Sequence, residues 1–219
     1  MKILIATPAY GGQVYSRYTE SLVYTCFFLK MHNIDFELKY INNQLVTRAR
    51  NMCSSIFLED ETFTHMMFID ADVAWQPQDI KKLIDHNKEC VIGIYPNKQY
   101  FWEEDNLSLS PSSVIENPNE ISEGLVKVKY GATGFMLLAR NALERIKDKV
   151  ETFFLPGANG EQVELYNFFD CKVVDHDYLT EDYYFSHLFN QSGGQIYADP
   201  EISLTHIGAH EYGSLINKG

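Results

Sequence analysis

Residues 65–72, HMMFIDAD, join a short apolar run to two aspartates that follow it directly. An apolar run of this length predicts a strand over 65–69 that is buried on both faces of a sheet. Neighbouring side chains of an extended chain point to opposite faces, but the chain turns where a strand ends. We therefore expect Asp70 and Asp72 to reach the same side of the sheet edge.

Strand and helix signals alternate on both sides of this segment. The predicted strands are 2–7, 36–41 and 90–95, and the predicted helices are 16–31, 47–58 and 77–86. Such alternation is typical of an α/β fold with helices on both faces of a parallel sheet. Ligands in these folds bind beyond the carboxyl ends of the strands, where this chain places polar residues.

The second half of the chain follows a different pattern. Residues 99–124 contain Pro111, Pro118 and many Asn, Ser and acidic residues, which predicts a long surface excursion that could cover a ligand. The elements predicted after it are strands at 125–130, 135–138, 195–198 and 202–204 and helices at 141–150 and 182–190. We find no linker, and we predict a single domain over 1–219.

The charge balance limits the classes of partner. The 219 residues carry a formal net charge of −12, which disfavours nucleic acid and anionic membrane because both need a basic surface. No apolar run reaches the roughly 20 residues of a transmembrane helix, and the first residues are too short an apolar stretch for a signal peptide. The scattered cysteines Cys26, Cys53, Cys90 and Cys171 predict free thiols in a reducing compartment, the cytoplasm.

Asp70 and Asp72 are the strongest candidates for chemistry. Hard carboxylate oxygens suit Mg²⁺ or Mn²⁺, and a metal lets an acidic protein bind an acidic nucleotide. The alternative is that Asp72 caps the next segment and Asp70 is a turn residue. A haloacid-dehalogenase-type phosphatase is disfavoured, because its Asp-x-Asp normally follows the first strand and Ala74 stands here where Thr or Val is usual.

Two further groups offer imidazole or carboxylate. His206 and His210 lie in a Gly-containing, non-helical segment, where an imidazole can complete an oxygen-rich Mn²⁺ site. The alternative is a surface or capping histidine. Glu181 and Asp182 open a predicted helix after Thr180, so they are either a cap or a general base for an acceptor hydroxyl.

Two more segments are open to both interpretations. Arg48 and Arg50 are about 200° apart on a helix, so one is expected to face the site, where its forked donors suit a diphosphate. Residues 131–134, with Thr133 and Gly134, form either a tight turn or a place where the backbone must approach a sugar closely. Their spacing matches neither a dinucleotide-binding loop nor a P-loop.

Taken in order, several segments resemble DXD-containing glycosyltransferases of the GT-A fold. They are KILIATPAY (2–10), VTRARN (46–51), FIDADV (68–73), GIYPNK (93–98), GATGFMLL (131–138), TEDYYF (180–185) and DPEISLTHIGAHEY (199–212). Similar domains occur in phages, in bacteria and in large DNA viruses, including chlorovirus enzymes that build capsid glycans. The resemblance implies a single Rossmann-like mixed, mainly parallel sheet flanked by helices. It also implies a nucleotide-binding half over 1–98 and an acceptor-binding, catalytic half over 99–219.

The resemblance also implies a role for each matching residue. It implies Asp70, Asp72 and His206 as ligands of Mn²⁺ (or Mg²⁺). The donor, a nucleotide sugar and by preference a UDP-sugar, would contact Thr7, Pro8, Tyr10, Arg48, Arg50, Asp70, Ala71, Asp72, Thr133, Gly134 and His210. The acidic pair Glu181 and Asp182 would be catalytic, with Asp182 as the base toward a glycan acceptor. The chain would work in the cytoplasm, that of the host for a viral protein, with further domains of a longer chain as possible neighbours.

Two alternatives to a transferase remain open. One is a non-catalytic module that binds a nucleotide sugar or glycan on the same fold, and the intact acidic residues argue against it. The other is a sugar nucleotidyltransferase, which carries a Gly-rich basic signature after its first strand. Here no Lys or Arg follows that strand until Arg17, which disfavours this reaction.

Overall fold

The computed structural model describes residues 1–103, 106–157 and 159–208, with side chains described outside 99–109. The helices are α1 (Ser16–Met31), α2 (Val46–Glu59), α3 (Pro77–Asp85), α4 (Arg140–Glu144) and α5 (Glu181–Gln191). The strands are β1 (Lys2–Ala9), β2 (Asp35–Asn42), β3 (His65–Ile69), β4 (Val73–Ala74), β5 (Cys90–Ile92), β6 (Pro96–Glu103), β7 (Asn106–Pro111), β8 (Val114–Ile115), β9 (Val126–Tyr130), β10 (Phe135–Ala139), β11 (Thr152–Pro156), β12 (Gln162–Tyr166), β13 (Lys172–Val174), β14 (Asp177–Leu179), β15 (Ile196–Ala198) and β16 (Thr205–His206).

The central sheet has eight strands in the order β2-β1-β3-β10-β5-β15-β9-β8. Strand β1 pairs in parallel with β2 and β3, and β5 pairs in parallel with β15. Strands β10 and β9 run against their neighbours, so the other six strands share one direction. The predicted mixed, mainly parallel sheet is confirmed.

The apolar run of β3 is buried on both faces of this sheet. Met66 and Phe68 pack in one apolar cluster with residues of α2, α4 and α5. Met67 and Ile69 pack in a second cluster with residues of α1 and α3. Helices therefore cover both faces, which explains why β3 shows no polar alternation.

The segment 99–124 differs from the predicted surface excursion. Strands β6 and β7 pair as an antiparallel hairpin, and β8 joins the edge of the central sheet beside β9. Pro111 is the last residue of β7, where proline is tolerated, and Pro118 lies in a turn beyond β8. Alternating residues such as NLSLS were the signal for a strand.

Smaller differences concern element ends. The predicted strand 202–204 is irregular, and the strand is instead β16, which pairs with β4. The predicted helix 141–150 ends as α4 at Glu144 and is followed by a 3-10 turn, Lys147–Lys149. The hairpins β11–β12 and β13–β14 were not predicted, because their short strands carry few buried side chains. Within the described ranges, no helix combines the length and apolarity that crossing a membrane demands.

Candidate active site

A cleft of about 770 Å³ opens at the carboxyl ends of β1, β2 and β3. Its size lies in the range of pockets that bind small molecules. The described residues of its wall are Pro8, Tyr10, Gln13, Val14, Tyr15, Ser16, Gln44, Leu45, Val46, Asp70, Ala71 and Asp72. Most of the donor-binding residues predicted at the ends of β1 and β3 therefore share one cleft.

The loop after β3 is held by three distant segments. The backbone N–H of Asp70 donates to the carbonyl of Gly134, at 3.0 Å, where antiparallel β10 begins. The other bonds run from Tyr15 N–H to the Ala71 carbonyl (3.0 Å) and from Ile207 N–H to the Asp72 carbonyl (2.8 Å). The two carboxylates are therefore displayed on a fixed backbone, and each can keep its own partners.

Asp72 belongs to a half-exposed group of three residues, Asp72, Lys98 and His206, which we name the outer cluster. Lys98 Nζ lies 2.5 Å from Asp72 Oδ2, and His206 Nε2 lies 3.6 Å from the same oxygen. Burial tends to raise the pKa of Asp72, but His206 and Lys98 outweigh it and hold that pKa at about 2. Asp72 is therefore a carboxylate over the whole physiological range.

The outer cluster fits a divalent cation. His206 Nδ1 lies 2.8 Å from the carbonyl of Pro96 and must carry a proton to donate to it, so Nε2 is the ring nitrogen that can bind a metal. Ligating histidines are commonly oriented by such a backbone bond. Nε2 faces Asp72 Oδ2, so Asp72 and His206 form a suitable pair of donors for a divalent cation.

Asp70 does not join that pair. Within the described ranges, no group of three or more His, Cys, Asp or Glu side chains is placed to hold a metal ion. The structure brings Asp72 and His206 together and turns Asp70 towards Arg50. The contact of Asp70 with a metal therefore stays a prediction.

Asp70 belongs instead to a buried group, Arg50, Asp70 and Glu181, which we name the inner cluster. Arg50 Nη2 donates to both carboxylate oxygens of Asp70, at 3.0 and 3.2 Å, and Arg50 Nε donates to Glu181 Oε1 at 3.4 Å. Arg50 is only 3% exposed. Burial tends to lower the pKa of Arg50, but Asp70 and Glu181 outweigh it and raise that pKa. The guanidinium is a permanent internal cation.

The two arginines of α2 differ as their spacing predicts. Arg50 is buried at the inner cluster, whereas Arg48 is exposed. Arg48 lines a separate pocket of about 300 Å³ with Asn51 and Phe153. Arg50 Nη1 is buried with no hydrogen-bond partner among the described residues, so one donor of the guanidinium is unused.

Glu181 and Asp182 form the first turn of α5, beside the inner cluster. Asp182 Oδ1 accepts hydrogen bonds from the Thr180 hydroxyl and from the backbone N–H of Tyr183. Burial, and next the charge of Glu181, raise the pKa of Asp182. A raised pKa makes a carboxylate a stronger base, so local bonding at the helix start and a catalytic role are compatible.

The turn before β10 is a place of close approach. Gly134 N–H donates to the hydroxyl of Tyr95 at 3.2 Å. A Cβ at Gly134 would collide with that hydroxyl and lie 2.8 Å from Asp70 Oδ2, so only glycine fits without a shift. Thr133 is buried, and its hydroxyl has no partner among the described residues. The nearest neighbours of Gly134 are therefore Tyr95 and Asp70.

The remaining predicted residues are divided between cleft and core. Pro8 and Tyr10 lie on the cleft wall, and the Tyr10 side chain is 82% exposed. Thr7 is not on that wall, since it is buried and its hydroxyl lies 2.6 Å from that of Tyr18. His210 lies outside the described residues.

Sequence reasoning assigned no role to Lys98 or Tyr95. Both lie in the segment 93–98, at the end of the predicted strand 90–95 and at the same sheet edge as Asp72. A cationic and an aromatic side chain at that place were the available signal. The partners of Lys98 and Tyr95 could not be inferred from the sequence, because they depend on how β6 and β16 pack beside the loop after β3.

Solved structures with the same architecture include three that align over nearly the whole chain. A197 from STIV has a TM-score of 0.54 and 21% identity, with 95% of this chain and 87% of that chain covered. GalNAc-T7 with UDP, GalNAc and Mn²⁺ has a TM-score of 0.53 and 9% identity, with 95% and 44% covered. S. aureus TarS 1–349 with UDP-GlcNAc has a TM-score of 0.51 and 11% identity, with 97% and 60% covered.

These likenesses concern the fold. Comparison with protein-family models and with curated protein sequences gives no match. The chain spans less than two thirds of the GalNAc-T7 and TarS chains. The order and direction of the strands, the helices on both faces and these structural neighbours together identify the architecture as the GT-A fold of glycosyltransferases.

Proposed function

We propose that this chain is a metal-dependent glycosyltransferase that moves a sugar from a UDP-sugar to a hydroxyl group of a glycan acceptor. The observation that carries the proposal is the pair Asp72 and His206, whose donor atoms face each other beside the cleft. The ligands in the GalNAc-T7 structure are UDP, GalNAc and Mn²⁺, and the ligand in the TarS structure is UDP-GlcNAc. They support a donor of the same class.

The residues of the cleft suit the parts of such a donor. Tyr10 presents an exposed aromatic face on which a base can stack, and Pro8 adds apolar surface beside it. Asp72 and His206 would hold Mn²⁺ (or Mg²⁺). When bound there, the metal would neutralise negative charge that develops on the departing diphosphate. Gly134 and Thr133 would lie along the donor sugar.

The acceptor side is assigned to the start of α5. Asp182 would accept the proton of the acceptor hydroxyl in an inverting reaction, and its raised pKa suits that role. Glu181 pairs with Arg50 and orients the guanidinium between the two sides of the site. In a retaining reaction a diphosphate oxygen takes the proton, so Asp182→Asn distinguishes the two outcomes.

The test is donor hydrolysis without acceptor. The purified chain is incubated with UDP- and GDP-sugars and Mn²⁺, and release of the nucleoside diphosphate is measured with and without EDTA. We expect release from one UDP-sugar that stops with EDTA. Asp72→Asn should lower it at least about tenfold, whereas Asp148→Asn, an exposed carboxylate outside the cleft, should not change it.

The other outcomes discriminate between hypotheses. Metal-dependent binding of UDP without hydrolysis of any donor supports the non-catalytic module. Binding of no nucleotide, with or without Mn²⁺, contradicts the proposal. Equal release of diphosphate by wild type and Asp72→Asn removes Asp72 from the proposed metal site, and release that EDTA does not stop removes the metal from the proposal.

The cellular compartment and the pathway are part of the same proposal. We place the reaction in glycan biosynthesis in the cytoplasm, that of the host cell for a viral protein, with further domains of a longer chain as neighbours. All four cysteines are free thiols, as a reducing compartment favours. Mass spectrometry of the native chain tests for further domains. Mass spectrometry of its glycan products tests the assignment to glycan biosynthesis.

A further inference from the structure

Lys98 occupies a position that a bound metal would contest. Its Nζ lies 2.5 Å from Asp72 Oδ2, and His206 Nε2 approaches that same oxygen at 3.6 Å. A divalent cation held by Asp72 and His206 would share this oxygen with the ammonium group. Like charges at such a distance repel strongly in a partly buried site. Lys98 and a metal ion therefore compete for one carboxylate oxygen.

The cleft itself is poor in positive charge. The described residues of its wall include neither lysine nor arginine, and the chain carries a net charge of −12. Arg50 is buried and committed to two carboxylates, and Arg48 faces a different pocket. Lys98 contacts Asp72, which is on that wall, and the Lys98 side chain is 39% exposed. A diphosphate in this cleft would therefore gain a cationic partner from the protein if Lys98 turned towards it.

We propose that Lys98 exchanges partners during donor binding. It neutralises Asp72 in the metal-free protein, and it moves to the donor diphosphate once Asp72 is bound to the metal. This inference rests on the proposed function, because the diphosphate is that of the donor. A lysine suits the exchange, since its ammonium is a compact charge on a flexible stem.

The surroundings of Lys98 permit this movement without disturbing His206. The carbonyl of Pro96 holds His206 Nδ1 at 2.8 Å through the backbone of β6, and this bond does not involve the lysine side chain. The stem of Lys98 packs beside Gly208, where a Cβ would lie 2.9 Å from Lys98 Cδ. Metal and donor should consequently strengthen each other's binding, because Lys98 opposes the first and favours the second.

The test uses the full chain and two probes, MnCl₂ alone and UDP at saturating Mn²⁺. Free Mn²⁺ is measured by electron paramagnetic resonance, and UDP binding is measured by calorimetry. We expect Lys98→Met to bind Mn²⁺ alone at least about fivefold more tightly than wild type, and to bind UDP at least about fivefold more weakly. Lys81→Met is the matched control, since Lys81 is 34% exposed and pairs with Asp85 at 2.7 Å on α3.

Each outcome of the two binding measurements supports or overturns one part of the proposal. Unchanged or weaker Mn²⁺ binding by Lys98→Met overturns the competition for Asp72. Unchanged or tighter UDP binding overturns the move to the diphosphate. Failure of wild type and Lys81→Met to bind any UDP contradicts the proposed function instead, and the Mn²⁺ titration still tests the competition on its own. Circular dichroism of each variant verifies that the chain is folded.

Discussion

The inner and outer clusters begin on aspartates only two residues apart, yet their cations differ in kind. Asp70 is paired with Arg50, which is almost fully buried and bridges to Glu181 at the start of α5. Asp72 is paired with Lys98, which is exposed, and with His206. The inner cluster connects the loop after β3 to the start of α5. The other presents a carboxylate whose cation can be exchanged.

The difference follows from burial. A buried ion pair is costly to form but more costly to break, because removing one member leaves an uncompensated charge. A solvent-exposed pair contributes little to stability, since water and salt screen both charges. We infer that the inner cluster holds the geometry of the site, and that the outer cluster performs the exchange of ligands.

The largest expected effect is that of Arg50→Met. It leaves Asp70 and Glu181 without their cation, so we expect the free energy of unfolding to fall by about 3–5 kcal/mol. Chemical denaturation measures this change. Arg48→Met, on the exposed side of the same helix, should change stability by no more than about 0.5 kcal/mol. Equal losses for the two variants would show that Arg50 in the inner cluster stabilises the fold no more than an exposed arginine does.

The second-largest expected effect is the difference in stability loss between Asp70→Asn and Asp72→Asn. Asp70→Asn weakens charge-assisted bonds to a buried guanidinium, and we expect a loss of about 1.5–3 kcal/mol in the free energy of unfolding. Asp72→Asn removes a half-exposed pair, and we expect a loss below about 1 kcal/mol. Both variants are measured by denaturant titration in one buffer. A larger loss for Asp72→Asn would reverse our assignment of the two clusters.

The smallest effect concerns Asp182 and depends on pH. Burial raises its pKa in the folded state, so the charged form is disfavoured by folding. The cost is absent below the ordinary pKa of 3.8 and is fully present above the raised value. Asp182→Asn should therefore increase the free energy of unfolding at pH 7, and the gain should disappear as the pH falls below 3.8.

The control for this prediction is Asp177→Asn, an exposed carboxylate on the hairpin before α5. We expect no stability gain from it at pH 7. A gain of the same size in both variants would indicate relief of the net charge of −12 rather than of a buried carboxylate. A gain for Asp182→Asn that persists at low pH would mean that its cause is not titration.

Much of the first half of the fold could be predicted because its signals are local. The helix 16–31 and the strand 65–69 have the predicted bounds, since their apolar periodicity and flanking residues suffice. The hairpins β11–β12 and β13–β14 were missed because their strands are short and largely exposed. Of the candidate site, the residue types and the shared sheet edge were predictable, whereas the burial of Thr7 and the pairing of Asp72 with Lys98 were not.

Local sequence patterns indicate most helices and strands of the central sheet and the polar residues that follow its strands. Which cation pairs with Asp70 and which with Asp72 depends on how distant segments pack. Antiparallel β10 brings Gly134 opposite Asp70, and Arg50 meets Glu181 across 131 residues of chain. Local periodicity reports burial of nearby residues, but it contains no information on distances between remote segments. The partners of a charge depend on those distances, so they are decided by packing.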